Sequence, residues 1–213
     1  QPTSSQRKKK KGKKEKIGGI AKVVAKNAVL EDLVSLAQEG TVERRCAALL
    51  VLGALQRQDD NVVQAAGRLL SQANPVLKDY ALRYFEEAKP KDGIALLPAL
   101  LDEPEKDVQD RTIRLLASFG QTAIRPLMHG IANASRMRQI NNARVLLALR
   151  GVAAWKAIFQ ILGQGDVECN RTVCELLFPI VRELPAKEQD AFHSECETFA
   201  SSLDEHTQRS AII

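Results

Sequence analysis

Aromatic residues make up only 4% of the 213-residue sequence. A core with so few rings must be built from Leu, Ile, Val and Ala. That favours helices packed on helices over a β-sandwich, whose strands draw on β-branched and aromatic side chains. Long apolar runs are missing too. No stretch approaches the roughly 20 uninterrupted apolar residues of a membrane-spanning helix, and no signal-peptide pattern occurs. Cysteine is sparse: Cys46, Cys169, Cys174 and Cys196 are scattered, with no CxxC pair. They are expected to be reduced thiols in the core, which fits a cytoplasmic chain, or a nuclear one in a eukaryote. The sequence lacks Met at Gln1 and stops in the apolar Ala211-Ile212-Ile213, so it reads as an excerpt of a longer protein.

Chemistry-bearing motifs are equally scarce. There is no Walker loop, dinucleotide fingerprint or GxSxG elbow. His129, His193 and His206 are the only histidines. His193, Cys196 and Glu197 share a helical face at i, i+3, i+4, a spacing able to grip a metal. No fourth ligand is evident, so a surface histidine near a buried cysteine is the simpler expectation. No catalytic residue, metal ligand or cofactor site is assigned, and the chain is read as a non-enzyme.

Charge, by contrast, comes in blocks. Residues 1–26 hold ten Lys/Arg against Glu15 alone. Their run of Arg7, Lys8, Lys9, Lys10, Lys11, Lys13, Lys14 and Lys16 has no apolar period and repels itself. A disordered basic tail is therefore expected over 1–26, suited to a polyanion, a nuclear-import-like role or an anionic membrane surface. Residues 27–110 hold nine Lys/Arg against fifteen acids, and residues 166–213 hold four against ten. Between them, 111–165 carry Arg111, Arg114, Arg125, Arg136, Arg138, Arg144, Arg150 and Lys156 with no Asp or Glu.

From Leu30 onward, apolar residues recur at i, i+3, i+4, i+7 in one short segment after another, as amphipathic helices require. Ala47, Leu50, Val51 and Ala54 form one such set; Val62, Ala65, Ala66 and Leu69 the next; Ala154, Ala157, Ile158, Ile161 and Leu162 a later one. Every second helix opens with a capping residue and an apolar anchor: Thr41/Val42, Asn74/Val76, Asp107/Val108, Ser135/Met137 and Asp166/Val167. The anchors are 34, 32, 29 and 30 residues apart. Two helices per period near thirty mark a helical repeat array.

DVQDRTIRLLASFG at 107–120 resembles the second helix of the HEAT-repeat family. GIALLPALL at 93–101 and QTAIRPLMHGI at 121–131 resemble its first helix, including Pro98 and Pro126. The resemblance implies a right-handed α-solenoid of about five to six HEAT-like hairpins over 27–213. Its units would fall at about 27–57, 59–88, 90–119, 121–150 and 152–183, with a degenerate 185–213. Pro179 departs from the pattern and predicts a kink or break near Phe178. His-Glu dipeptides, through which some similar proteins bind metal, are absent. The carboxylate that similar DNA glycosylases place in a basic groove is missing from 111–165.

Stacked hairpins present an extended groove, so the expected function is a non-catalytic scaffold or adaptor. In this family the second helices usually line the concave surface. Arg111, Arg114, Arg138, Asn141, Asn142 and Arg144 are then the expected contacts, and arginine suits bidentate grip on carboxylates. An acidic protein partner follows. Two other outcomes compete: nucleic-acid binding by the tail plus 111–165, and arginines already paired with acids of the flanking units.

Overall fold

Caps decide where the helices begin. Thr41, Ser135 and Asp166 each accept from the backbone N–H three residues on, at 3.5, 3.1 and 2.8 Å. Asn74 takes those of Val76 and Leu77 at 3.0 and 3.2 Å. These bonds satisfy donors that a first helical turn leaves unpaired. At the third expected cap the structure differs. The helix there opens at Glu105 without a side-chain cap bond, and Asp107 sits inside its first turn.

The computed structural model describes residues 28–202; the expected tail at 1–26, with the eight cations of 7–16, lies outside the described residues. Among the described residues all regular structure is helical. In order these are α1 (28–39 in its described part), α2 (Val42–Ala54), α3 (Asp60–Leu70) and α4 (Pro75–Ala88). Then come the 3₁₀ segments η1 (Lys91–Leu96) and η2 (Pro98–Asp102), α5 (Lys106–Ser118), η3 (Gly120–Ala123), α6 (Ile124–Met128) and η4 (Ile131–Asn133). The described residues finish with α7 (Arg136–Leu149), α8 (Val152–Gln164), α9 (Val167–Arg182) and α10 (Ala186–Ser202). Two compact units divide between Ala88 and Lys89.

In unit one, α2 and α3 both pack on α4 around Leu49, Leu52, Ala66, Leu82 and Phe85. Gly53 lets the helices close up: a Cβ there would sit 3.4 Å from the Tyr84 Cα. The helical period of α2 was legible, but its buried face was not. Cys46, Ala48, Leu49 and Leu52 enter the core, whereas Ala47, Leu50, Val51 and Ala54 are exposed. Both faces of this helix are apolar, so periodicity alone cannot choose between them.

Unit two stacks in two layers. Second-position helices α5, α7 and α9 pack in succession, and α6, α8 and α10 do the same behind them. This is the packing of an α-solenoid, and the fold is an all-α helical repeat. Trp155 is fully buried, edge-on to Phe192 at 5.4 Å, and ties α8 to α10. The first-position elements at 93–101 and 121–131 are not full α-helices. Pro98 lacks an N–H and crowds the preceding turn, and Gly130 at φ +70° leads the chain away. Pro179 causes no break, because α9 runs through it to Arg182.

One feature recurs at the fourth residue of α2, α5, α7, α9 and α10. There a side chain donates to a carbonyl of the preceding segment: Arg45 to Gly40 at 2.9 Å, Gln109 to Glu103 at 2.5 Å, Gln139 to Ile131 at 3.2 Å, Asn170 to Leu162 at 2.9 Å, and Gln189 to Val181 at 3.4 Å. Carbonyls at segment ends need such partners. The turns before these five helices are thereby latched. The residues expected as apolar anchors do not serve that purpose: Val42, Val76, Met137 and Val167 are 37%, 49%, 50% and 75% exposed.

Candidate functional site

The candidate contacts fall on the second-position helices of unit two. Counting from the cap of each helix, one surface stripe reads Asp107, Asp110, Arg114 and Ser118 on α5. On α7 the equivalent positions are Met137, Ile140, Arg144 and Ala148; on α9 they are Glu168, Arg171, Glu175 and Pro179. Side chains spaced by three and four residues share a helix face. None of the twelve is buried. The central stripe is the apolar one, and the outer two are charged.

Arg114 is exposed and makes no ion pair among the described residues. Arg111, on the adjoining edge of α5, has its guanidinium 3.8 Å from Asp107 and its side chain only 15% exposed. Arg144 donates to the Asp110 carboxylate at 2.8 Å and to Asn141 Oδ1 at 3.1 Å. Arg138 is half-buried and off the stripe. One of its Nη atoms reaches the His129 carbonyl at 3.4 Å, and its buried Nε has no partner.

Asn141 and Asn142 lie in the core instead of on the exposed face. Asn141 Nδ2 donates to the Leu101 carbonyl at 2.9 Å, and Asn142 Nδ2 to that of Leu127 at 2.8 Å. Both carbonyls end the short first-position segments that could not close as longer α-helices. A buried amide is what those orphan acceptors require. These two expected contacts brace the core instead.

Much of the basic block is neutralised by its flanks. Arg136 Nε and Nη2 both reach Asp166 Oδ2, at 2.9 and 2.6 Å, and Lys156 lies 3.6 Å from Glu195. The Asp166 carboxyl also caps α9 through the Cys169 N–H. That bond first, and Arg136 second, hold it below the ordinary carboxylate range. With Asp107 and Asp110, four acids outside 111–165 thus meet four of its eight cations. Arg125 and Arg150 are exposed elsewhere on the unit.

His193 and Cys196 are both exposed, contrary to the expected buried thiol; Cys174 is exposed too, while Cys46 and Cys169 are buried. Among the described residues no three His, Cys, Asp or Glu side chains converge as metal ligands. Nor is any described helix long and apolar enough to cross a membrane. The signal that sequence reasoning missed is the latch position, visible as a polar or basic residue at 45, 109, 139 and 170 once the caps are aligned.

No protein-family profile and no curated protein sequence matches the chain. Solved structures similar to it include an engineered and a designed protein. One is an engineered protein from a structural genomics consortium, at 19% identity over 86% of this chain and 93% of that one, with a TM-score of 0.45. The other is a designed armadillo repeat protein, at 14% identity over 86% and 97%, with a TM-score of 0.40.

Proposed function

We propose that the chain is a non-catalytic interaction scaffold that binds a protein partner across the α5–α7–α9 face of unit two. The observation that supports this most is the composition of the face: an apolar stripe of Met137, Ile140 and Ala148 around Arg144, bordered by charged stripes. Protein interfaces have this arrangement, with Met and Arg enriched at the centre and a polar rim. Arg114 and Arg144 are the principal contacts for acidic side chains of the partner; Arg111 and Arg138 stand beside them. A carboxylate arriving at Arg144 shares it with Asp110.

The test uses the full chain and a fluorescent amphipathic peptide of Glu and Leu residues. Anisotropy should report saturable binding that weakens about tenfold in Arg114→Glu, the loss of one charge-assisted contact, and again in Met137→Asp. Binding that is unchanged in both variants would remove the site from this face.

A further inference from the structure

Among the described residues, all but two of the charges on the three stripes of unit two are already paired. Asp107 faces Arg111 at 3.8 Å, Asp110 holds Arg144 at 2.8 Å, and Glu168 holds Arg171 at 2.6 Å. Arg114 and Glu175 are left over, both exposed and without an ion pair. Each is the ninth residue after the cap position of its helix, Glu105 for α5 and Asp166 for α9. They are opposite in sign and stand on opposite sides of α7, which packs against both helices. A surface pair is nearly neutral to a third charge. Arg114 and Glu175 therefore give the face its residual polarity, positive toward α5 and negative toward α9.

Between them runs the apolar stripe of α7. Met137 to Ala148 rises ~16 Å, about three helical turns. Packed helix axes lie about 8–10 Å apart, which sets the two charges ~16–20 Å from each other across α7. A helix is about 10–12 Å wide with its side chains, and Glu or Lys on its flanks reaches further. It offers one apolar stripe with a polar flank on either side. An extended strand turns successive side chains up and down instead, and cannot set opposite charges to the left and right of an apolar row.

We infer that the occupant of this face is an amphipathic helix with sided charge: apolar along the stripe of α7, acidic on the flank toward Arg114, and basic on the flank toward Glu175. This partner rests on the protein-binding reading of the same face and adds a second, opposite charge to it. Turning a helix end for end exchanges its flanks, so the pattern also sets the direction in which the partner lies.

Anisotropy with the full chain and three labelled helical peptides tests it. All three carry the same leucine stripe. One has Glu on one flank and Lys on the other, one has Glu on both, and one has Lys on both. The split peptide should bind the parent chain about fivefold more tightly than either of the others, the scale of one exposed ion pair. Glu175→Lys should move the preference to the all-Glu peptide, and Arg114→Glu to the all-Lys peptide. Neither change touches the core, and circular dichroism verifies the helices. Reading each preference as a ratio between parent and variant cancels the peptides' own helix propensities. If Met137→Asp weakens all three peptides but Glu175→Lys leaves their order unchanged, the sided partner is overturned and the face stands. Peptides that do not bind the parent, or that ignore Met137→Asp, overturn the protein-binding reading and the sided partner together.

Discussion

Arg144 on α7 reaches across to Asp110 on α5, 2.8 Å from guanidinium nitrogen to carboxylate oxygen. The pair joins position nine of one second-position helix to position five of its neighbour, so charge at the centre of the acid-free block braces adjacent hairpins. Both side chains are about one-third exposed. A double-mutant cycle of Arg144→Ala and Asp110→Ala should give a coupling of about 0.5–1 kcal/mol in denaturant unfolding. The charge-swapped pair, Arg144→Asp with Asp110→Arg, should recover part of it. Simple additivity would make the contact incidental.

The latch residues should matter more than the surface arginines. Gln139 is buried and its amide serves the carbonyl of buried Ile131. Gln139→Ala removes that bond, leaves the Ile131 carbonyl only the Ala134 N–H at 3.1 Å, and should cost about 1 kcal/mol. Arg125→Ala, at an exposed position without an ion pair, should leave the urea midpoint where it was. Equal effects would contradict the latch.

Unit one carries an alkaline liability. The Tyr84 hydroxyl donates to the Arg57 carbonyl at 2.7 Å; burial first, and the Asp59 carboxylate second, push its ionisation far above the ordinary tyrosine range. Below pH about 10 the folded and unfolded chains both keep the proton. Above that, the unfolded chain releases it first, so stability falls as pH rises. Tyr84→Phe should lose about 1 kcal/mol at neutral pH with the hydrogen bond, and should flatten the decline above pH about 10. An unchanged alkaline slope would place its origin elsewhere.

Trp155 is the only tryptophan, which makes its emission a reporter of the α8–α10 contact. Phe192 packs 5.4 Å from its ring and 5.4 Å from that of Phe159. Phe192→Ala should red-shift the emission and cost about 3 kcal/mol. A blue, unshifted spectrum would mean that α10 holds its place without this ring.

The helical period and the caps at Thr41, Asn74, Ser135 and Asp166 could be read from the chain because they depend on local spacing. What could not be read depends on neighbours. The outward face of α2 looks like a core stripe because Leu50 and Val51 are as apolar as Leu49 and Leu52. Asn141 and Asn142 look like surface residues because nothing in one helix shows that Leu101 and Leu127 need donors. Whether flanking acids pair with the basic block stayed open in the sequence because Asp107, Asp110, Asp166 and Glu195 lie outside it. Only the packing brings them to Arg111, Arg144, Arg136 and Lys156. The effect on the candidate site is to reduce six expected contacts to Arg114 and Arg144 on the face, with Arg111 and Arg138 beside it.

The central claim, a protein-binding face and not a nucleic-acid one, turns on a salt series. The full chain would be titrated with the labelled acidic peptide and with labelled duplex DNA and single-stranded RNA, from low to physiological salt and above. Counterion release makes phosphate binding fall steeply with salt, whereas an interface with an apolar centre loses little. The peptide should still bind at physiological salt with a shallow slope, and both nucleic acids should have dissociated. Nucleic acid retained at physiological salt, with the peptide lost, would contradict it.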